Sequence, residues 1–335
     1  MNIFLLLASG GTPDQSTFDP ASPPAQAIFD LSILVTAITG LIFLIVEGVL
    51  CYCVIRFRRG APTNTEPPQV YGSKPIEIAW TAAPALIVFI LVLVTTRTLW
   101  EVKAAPPEPQ VSDHALFITV VGRQWWWEYT YESYEGKKLG FTTANELHIP
   151  VSEKGIDRPV YLTLKSADVC HSFWVPKLGG KTDLIPQHTN YTWFQTDRTG
   201  LFLGQCAEYC GSQHANMLIR VLAEPAADFE HWLKHESEAA VDDPQTHTGK
   251  VLFLSQSCIN CHRVRGTNAQ GAFGPDLTHL MNRQTLASGM IPNTRENLRA
   301  WVADPQETKP GCLMPAFGLS DHDREQIVSY LSTLR

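Results

Sequence analysis

From Cys206 to Met217 the chain reads Cys-Ala-Glu-Tyr-Cys-Gly-Ser-Gln-His-Ala-Asn-Met, which sets two thiols, an imidazole and a thioether inside twelve residues. Thiolate, imidazole and thioether together are what copper prefers, and zinc rarely takes methionine. Two sulfurs four residues apart in a loop can both reach the same pair of metals. Another histidine must complete such a site, and Asp168-Val-Cys-His171-Ser-Phe-Trp-Val-Pro176 supplies it from upstream.

A second chemical signature follows at Cys258-Ile-Asn-Cys261-His262, the C-x-x-C-H of covalent c-type haem. The two thiols add across the porphyrin vinyls and His262 binds iron. Thr248-Gly-Lys-Val-Leu-Phe253 precedes it as a short helix, and Gly274-Pro-Asp-Leu277 follows. A closing helix is expected after Met314-Pro-Ala-Phe317, with Ser320-x-x-Asp323 as its capping box and Ile327, Val328, Leu331 and Leu334 as its apolar face. Met281, Met290 and Met314 compete for the sixth iron position. Only Met314 carries a following proline and sits just before the last helix. A His–Met pair raises the haem potential compared with thiolate ligation, which fits an electron carrier.

The pattern C-x-E-x-C-x-x-x-H-x-x-M with His171 upstream resembles the dinuclear copper centre of subunit II of haem–copper cytochrome c oxidases. The likeness runs from about Ala27 to Glu224 and takes in Gln124-Trp-Trp-Trp-Glu-Tyr129 and Lys181-Thr-Asp-Leu-Ile-Pro186. It implies that Cys206 and Cys210 bridge two copper ions, that His171 and His214 each cap one, and that Met217 is a weak ligand. Glu208 gives its backbone carbonyl to copper, and its carboxylate helps hold a Mg²⁺ at the subunit I interface. Residues 246–335 resemble a class I cytochrome c. That likeness implies a hydrogen bond from His262 to the Pro275 carbonyl, and packing of Gly249 and Phe253 against the closing helix near Tyr330. Trp125 aligns with the family tryptophan through which electrons arrive from a cytochrome c, although the Trp125-Trp126-Trp127 run could simply alternate between core and surface.

The elements that carry these residues begin with two apolar runs. Leu31–Ile55 is apolar apart from Glu47, and Ile78–Thr96 is uncharged. Each is long enough, at about 1.5 Å per residue, to cross a bilayer core of roughly 30 Å. Arg56, Arg58, Arg59 and Lys74 outnumber Glu66 and Glu77 around the connecting loop, which places that loop in the cytoplasm and both termini outside. The competing reading is a pair of buried helices in a soluble core. Glu77 opens the second helix and resembles the family glutamate at the mouth of a proton-uptake channel. An interfacial carboxylate supported by the helix N-terminus explains it equally well.

The stiff stretch Ala104-Ala-Pro-Pro-Glu-Pro-Gln110 ends the helical part. Short aromatic and β-branched runs then predict an all-β sandwich or barrel, which the resemblance narrows to a cupredoxin-like fold. The chain is therefore expected to be a multidomain membrane protein. It comprises an extracytoplasmic tail over residues 1–27, with Met1–Gly10 a possible signal remnant, and a two-helix transmembrane hairpin over 28–103 with a cytoplasmic loop at 56–75. A cupredoxin-like β-barrel or sandwich follows over 106–224, then a helix and linker over 225–245 and an all-α class I cytochrome c domain over 246–335. Cys51, Cys53, Cys170 and Cys312 are expected to be small buried hydrophobes.

With 26 Lys/Arg against 33 Asp/Glu the net charge is −7, and nothing points to nucleic acid. The acidic balance lies mostly between residues 106 and 240, where it either attracts a basic donor or only solvates the surface. The resemblance implies an electron-input subunit of a proton-pumping cytochrome c oxidase in the bacterial cytoplasmic membrane, with both redox domains outside. Its partners are subunit I, the other oxidase subunits and a cytochrome c or another extracytoplasmic donor. Oxygen chemistry falls to subunit I. A nitric oxide reductase subunit and a membrane-anchored electron shuttle or copper carrier are the competing readings. A nitrous oxide reductase would not account for the helical hairpin, and a quinol oxidase subunit would lack the cysteine pair.

Overall fold

The computed structural model describes residues 15–58, 69, 71–103, 114–153 and 155–335. The Met1–Gly10 run, Arg59, Glu66 and the Ala104–Gln110 stretch lie outside the described residues. Two units emerge, one of residues 26–103 and one formed by the N-terminal segment up to Ala25 together with residues 104–335.

The first unit consists of two long helices, α1 (Pro23–Arg56, which begins in the other unit) and α2 (Lys74–Val102). Both contain apolar stretches long enough to cross a membrane, and none of either stretch is buried. Leu44, Ile55, Trp80 and Phe89 are all bare. A soluble core would bury such helices, so their all-round apolar surface belongs in lipid. Glu77 lies in the first turn of α2, with Lys74 at the helix start.

The second unit begins with a strap. Asp19 pairs with Lys177 and Arg198 at 2.8 Å each, the Ala21 amide donates to the Lys177 carbonyl at 2.8 Å, and Ser22 accepts from the Gln195 amide at 3.3 Å. Residues 15–22 of the expected tail are irregular and these bonds hold them to the β domain, whereas α1 already begins within the expected tail, at Pro23.

That domain contains β1 (Leu116–Arg123), β2 (Trp126–Tyr134), β3 (Lys137–Ala144), β4 (Glu146–Pro150), β5 (Val160–Ser166), β6 (His171–Trp174), β7 (Thr182–Leu184), β8 (Asn190–Phe194), β9 (Gly200–Cys206) and β10 (Leu218–Glu224). They form two five-stranded sheets, in the orders β3-β2-β1-β5-β8 and β4-β10-β9-β6-β7. Alternate residues of β1 and β5 are buried, as the period of two in a strand requires when one face meets a core. The tryptophan run splits in the same way. Trp127 is fully buried, Trp126 is half-exposed beneath the Arg123 guanidinium, and Trp125 lies in the turn before β2. Helix α3 (Ala226–Ser237) follows, burying Phe229 and Leu233.

The C-terminal part is helical: α4 (His247–Ser255), α5 (Cys258–Cys261), α6 (Arg295–Ala303), α7 (Pro305–Thr308) and α8 (Asp321–Leu331). A two-residue ladder of β11 (Thr285–Leu286) and β12 (Ile291–Pro292) interrupts the helices. Helix α8 starts at Ser320, whose hydroxyl accepts from the Asp323 amide at 3.1 Å, as the capping pattern predicts. Ile327, Val328, Leu331 and Leu334 enter a core with Phe253 and Leu298. Helices α4 and α8 cross at Gly249, and the Phe253 and Tyr330 rings meet at 5.6 Å.

Candidate metal and haem centres

Strand pairing brings the copper-type donors together. His171 opens β6 and Cys206 closes β9, and these strands are neighbours with Phe173 opposite Cys206. The loop from Ala207 returns at Met217, whose carbonyl accepts from the Cys206 amide at 3.0 Å before β10 begins. The Cys206 and Cys210 sulfurs are 3.8 Å apart. Cys206 Sγ lies 3.9 Å from His171 Nδ1 and 3.2 Å from the Glu208 carbonyl. Cys210 Sγ lies 3.6 Å from His214 Nδ1 and 3.9 Å from Met217 Sδ. Each sulfur thus has its own imidazole. Both cysteines, His171 and Met217 are buried. The Cys206 thiol is pulled far below the usual range by its bond with Cys210 and, after burial opposes this, by His171, while the same shared proton pushes Cys210 up. A thiolate poised among neutral donors suits a soft metal.

Asp168, three residues before His171, orients it. Its carboxylate lies 2.7 Å from His171 Nε2 and accepts from the Gln124 and Val169 amides, also at 2.7 Å. Burial would raise its pKa, but these bonds prevail and lower it. Burial likewise works against protonated His171, and Asp168 and Cys206 outweigh it. With Nε2 turned to the carboxylate, Nδ1 faces the sulfurs. Gly122 lets the ring sit flat on β1, because a Cβ there would lie 2.8 Å from His171 Cδ2. Asp168→Asn should weaken copper binding by about 10–100-fold, read by competition with a chelator, because such carboxylates hold ring orientation and basicity.

The Glu208 carboxylate points away from the sulfurs, 4.0 Å from Lys181 Nζ and partly exposed. Trp125 is 9% exposed and donates its indole N–H to the Cys210 carbonyl at 3.0 Å, beside Gln124, which donates to the same oxygen at 2.7 Å. Trp125, expected to meet a separate cytochrome, is thus buried and shares the wall of a cavity with residues of the chain's own helical domain.

A cavity of about 350 Å³ lies on the other side of Trp125 and is lined by Cys258, Cys261, His262 and Met314. Neither Met281 nor Met290 lines it. Met281 instead packs against the domain core. His262 Nδ1 lies 2.8 Å from the Pro275 carbonyl, and burial lowers the pKa of the ring. A neutral ring that donates through Nδ1 has a free Nε2 lone pair, the state a metal ligand needs. Arg283 also lines the cavity and its buried Nε has no partner, which suits a group carrying carboxylates.

Three of the four remaining cysteines differ outright from expectation. Cys51, Cys53 and Cys170 are exposed, and Cys312 is half-buried on the cavity wall. Cys170 sits in the bend before β6, where the chain turns outward so that His171 can face in. A further group of metal-capable side chains, His235, Glu236 and His279, lies within 4.8 Å. The half-buried Arg283 feels the Glu236 charge, and Arg265 donates to the Glu236 carbonyl. A divalent cation added there would face two guanidinium groups, so the cluster reads as a structural contact of α3.

Comparison with known families covers both parts of the chain that carry these residues. Residues 116–224 match the periplasmic domain of cytochrome c oxidase subunit II, residues 12–97 match its transmembrane domain, and residues 247–335 match cytochrome c. Cytochrome c oxidase subunit 2 of Alkalihalophilus pseudofirmus is 36% identical over 329 residues, covering 97% of this chain and 92% of the relative. The chain belongs to the cytochrome c oxidase subunit II family. The Bacillus subtilis subunit 2 is 33% identical across 99% of this chain and 95% of its own length. Among solved structures, the periplasmic domain of subunit II from Bradyrhizobium japonicum is 32% identical over 38% of this chain and 94% of that chain, with a TM-score of 0.33. Membership makes this chain a membrane-anchored part of an oxidoreductase complex with subunit I. It also implies a copper centre in the β domain and a haem in the helical one.

Proposed function

We propose that this subunit II takes electrons from an external cytochrome c through its own haem domain and passes them by way of a dinuclear copper centre to subunit I of a proton-pumping oxidase. When bound, the haem and the two coppers supply reversible one-electron chemistry. In this reading Cys206, Cys210, His171, His214, Met217 and the Glu208 carbonyl would hold the two coppers, with the cysteines shared between them. Cys258 and Cys261 would hold the haem covalently, and His262 and Met314 would be its iron ligands. Trp125 occupies the space between the two sites and keeps water out of it.

The observation that carries this reading is the position of Trp125. Its indole hydrogen-bonds the Cys210 carbonyl and lines the same cavity as His262 and Met314. The rest follows from the anchor and the family. In this reading the domains are a tail over 1–27, a hairpin over 28–103, a copper domain over 106–224, a linker over 225–245 and a haem domain over 246–335. Arg56 at the end of α1 and Lys74 at the start of α2 support a loop in the cytoplasm of a bacterium, with both redox domains outside. The partly exposed Glu208 carboxylate, beside Lys181, would help hold a Mg²⁺ at the subunit I interface, and Glu77 would serve proton uptake.

The test is to purify the detergent-extracted complex through a tag on this chain and assay oxygen uptake with reduced cytochrome c. Cyanide-sensitive uptake, lost in His262→Ala, is expected. Copper and haem c in a complex that consumes no oxygen would overturn the reading in favour of a nitric oxide reductase subunit or an electron shuttle.

A further inference from the structure

The loop that carries Met314 and the loop that carries His214 and Met217 are joined by one lysine. Lys309 is 2% exposed, and its Nζ donates to the carbonyls of Trp125 at 2.9 Å, Asn216 at 2.8 Å and Ala287 at 3.0 Å. Trp125 and Asn216 belong to the β domain, and Asn216 immediately precedes Met217. Ala287 belongs to the helical domain, between β11 and β12. All three N–H bonds of the ammonium are used, and no carboxylate lies within salt-bridge distance among the described residues. A buried cation solvated only by main-chain oxygens is costly unless all its hydrogen bonds are made, and here they are made across a domain boundary. Burial pushes Lys309 down to about 8, against the opposing effect of Cys312 and Cys210, so it remains charged at neutral pH.

The neighbouring residues extend the junction. Gln213 donates to the Pro310 carbonyl at 2.6 Å, and a Cβ on Gly311 would lie 3.1 Å from Ser212 Oγ. Within the helical domain, Gln306 donates to the carbonyls of Cys312 and Met314 at 2.9 Å, which ties the far end of the loop to α7. The run from Lys309 to Met314 is thereby fixed at both ends.

We propose that Lys309 is the positioning residue that docks the Met314 loop onto the copper-donor loop, so that the fused haem domain is a seated electron donor and not a tethered, mobile one. The inference rests on the electron route proposed above. It adds a charged clamp on which that route depends.

The test uses the full-length chain in its complex. Lys309→Met keeps the length of the side chain and removes both donors and charge. Hydrogen exchange in peptides covering 212–217 and 309–314 should quicken at least tenfold. The copper centre should shift to lower potential, because a nearby positive charge favours the reduced state. Electron transfer from haem to copper should slow at least tenfold with copper and haem contents unchanged. Lys309→Arg keeps the charge, but its flat fork cannot set three donors on oxygens that converge on one atom. It should quicken exchange and leave the potential in place, and it carries the test if the methionine variant does not assemble. Exchange within twofold of the parent in both loops overturns the proposal. So does faster exchange with transfer unchanged, which would make Lys309 a structural residue only. A parent complex that passes no electrons from haem to copper would sink the route itself, and the exchange comparison alone would then decide whether Lys309 docks the loops.

Discussion

Cys210→Ser should abolish copper-dependent oxygen uptake, by 100-fold or more, while leaving the metal-free β domain folded. Serine offers a hard hydroxyl where a soft, easily ionised sulfur stands, and hydroxyl oxygen is a poor partner for copper beside imidazole and thioether. The loss is not confined to one donor. Cys210 Sγ lies within 3.9 Å of Cys206, His214 and Met217, so it is the atom on which that side of the cluster converges. Cys206 would keep His171 and the Glu208 carbonyl, enough for one metal but not a bridged pair. The fold should survive because the pairing of β6, β9 and β10 does not involve this side chain. A buried hydroxyl beside polar neighbours changes stability by about 1–2 kcal/mol. Copper content per chain by mass spectrometry, the visible absorption of the thiolate–copper bonds and oxygen uptake together check the outcome. Two coppers retained with normal uptake would refute the bridging role.

Gly249→Ala should be the most damaging single-methyl change in the helical domain. A Cβ at Gly249 would sit 2.0 Å from the Gln326 carbonyl oxygen, 2.7 Å from its carbon and 3.0 Å from Tyr330 Cβ. Two of those atoms are main chain within α8 and cannot turn aside as a flexible side chain could. Relief requires the whole of α8 to move off α4, which would open the contact between Phe253 and Tyr330 and expose Ile327 and Val328. Overpacking of this kind costs about 1–3 kcal/mol where side chains can yield, and more where backbone must. We expect a loss of about 3 kcal/mol or more, seen as a lower melting temperature of the helical domain and reduced haem c content. Gly48→Ala is the control, since nothing lies within 4 Å of a Cβ there. Equal haem content and melting in the two variants would show that α8 yields to the added methyl without loss of packing.

The chemistry of this protein was legible wherever the reacting groups are close in the chain. Cys206, Cys210, His214 and Met217 share one loop, and Cys258, Cys261 and His262 share one turn, so residue type and spacing were enough to name copper and haem. Lipid-length apolar runs are legible for a similar reason, because a helix satisfies its own backbone bonds and its length alone sets what it can span. His171 was legible only as the upstream histidine that such a site needs, since 35 residues separate it from Cys206 and strand pairing closes that gap.

Tertiary structure decided everything that depends on what lies beside a group in space. It placed Met314, already favoured by its following proline, on the wall of the cavity shared with His262, and it turned Asp168 onto His171. It set Cys170 outside, against the expectation that an unassigned cysteine is buried. It also covered Trp125 and seated Lys309 on carbonyls from two domains, one of them 184 residues away. A lysine followed by Pro-Gly reads as an exposed turn, and only the folded chain turns it into a buried clamp. Burial and hydrogen bonding across domains depend on long-range packing, which no local pattern of residue types encodes.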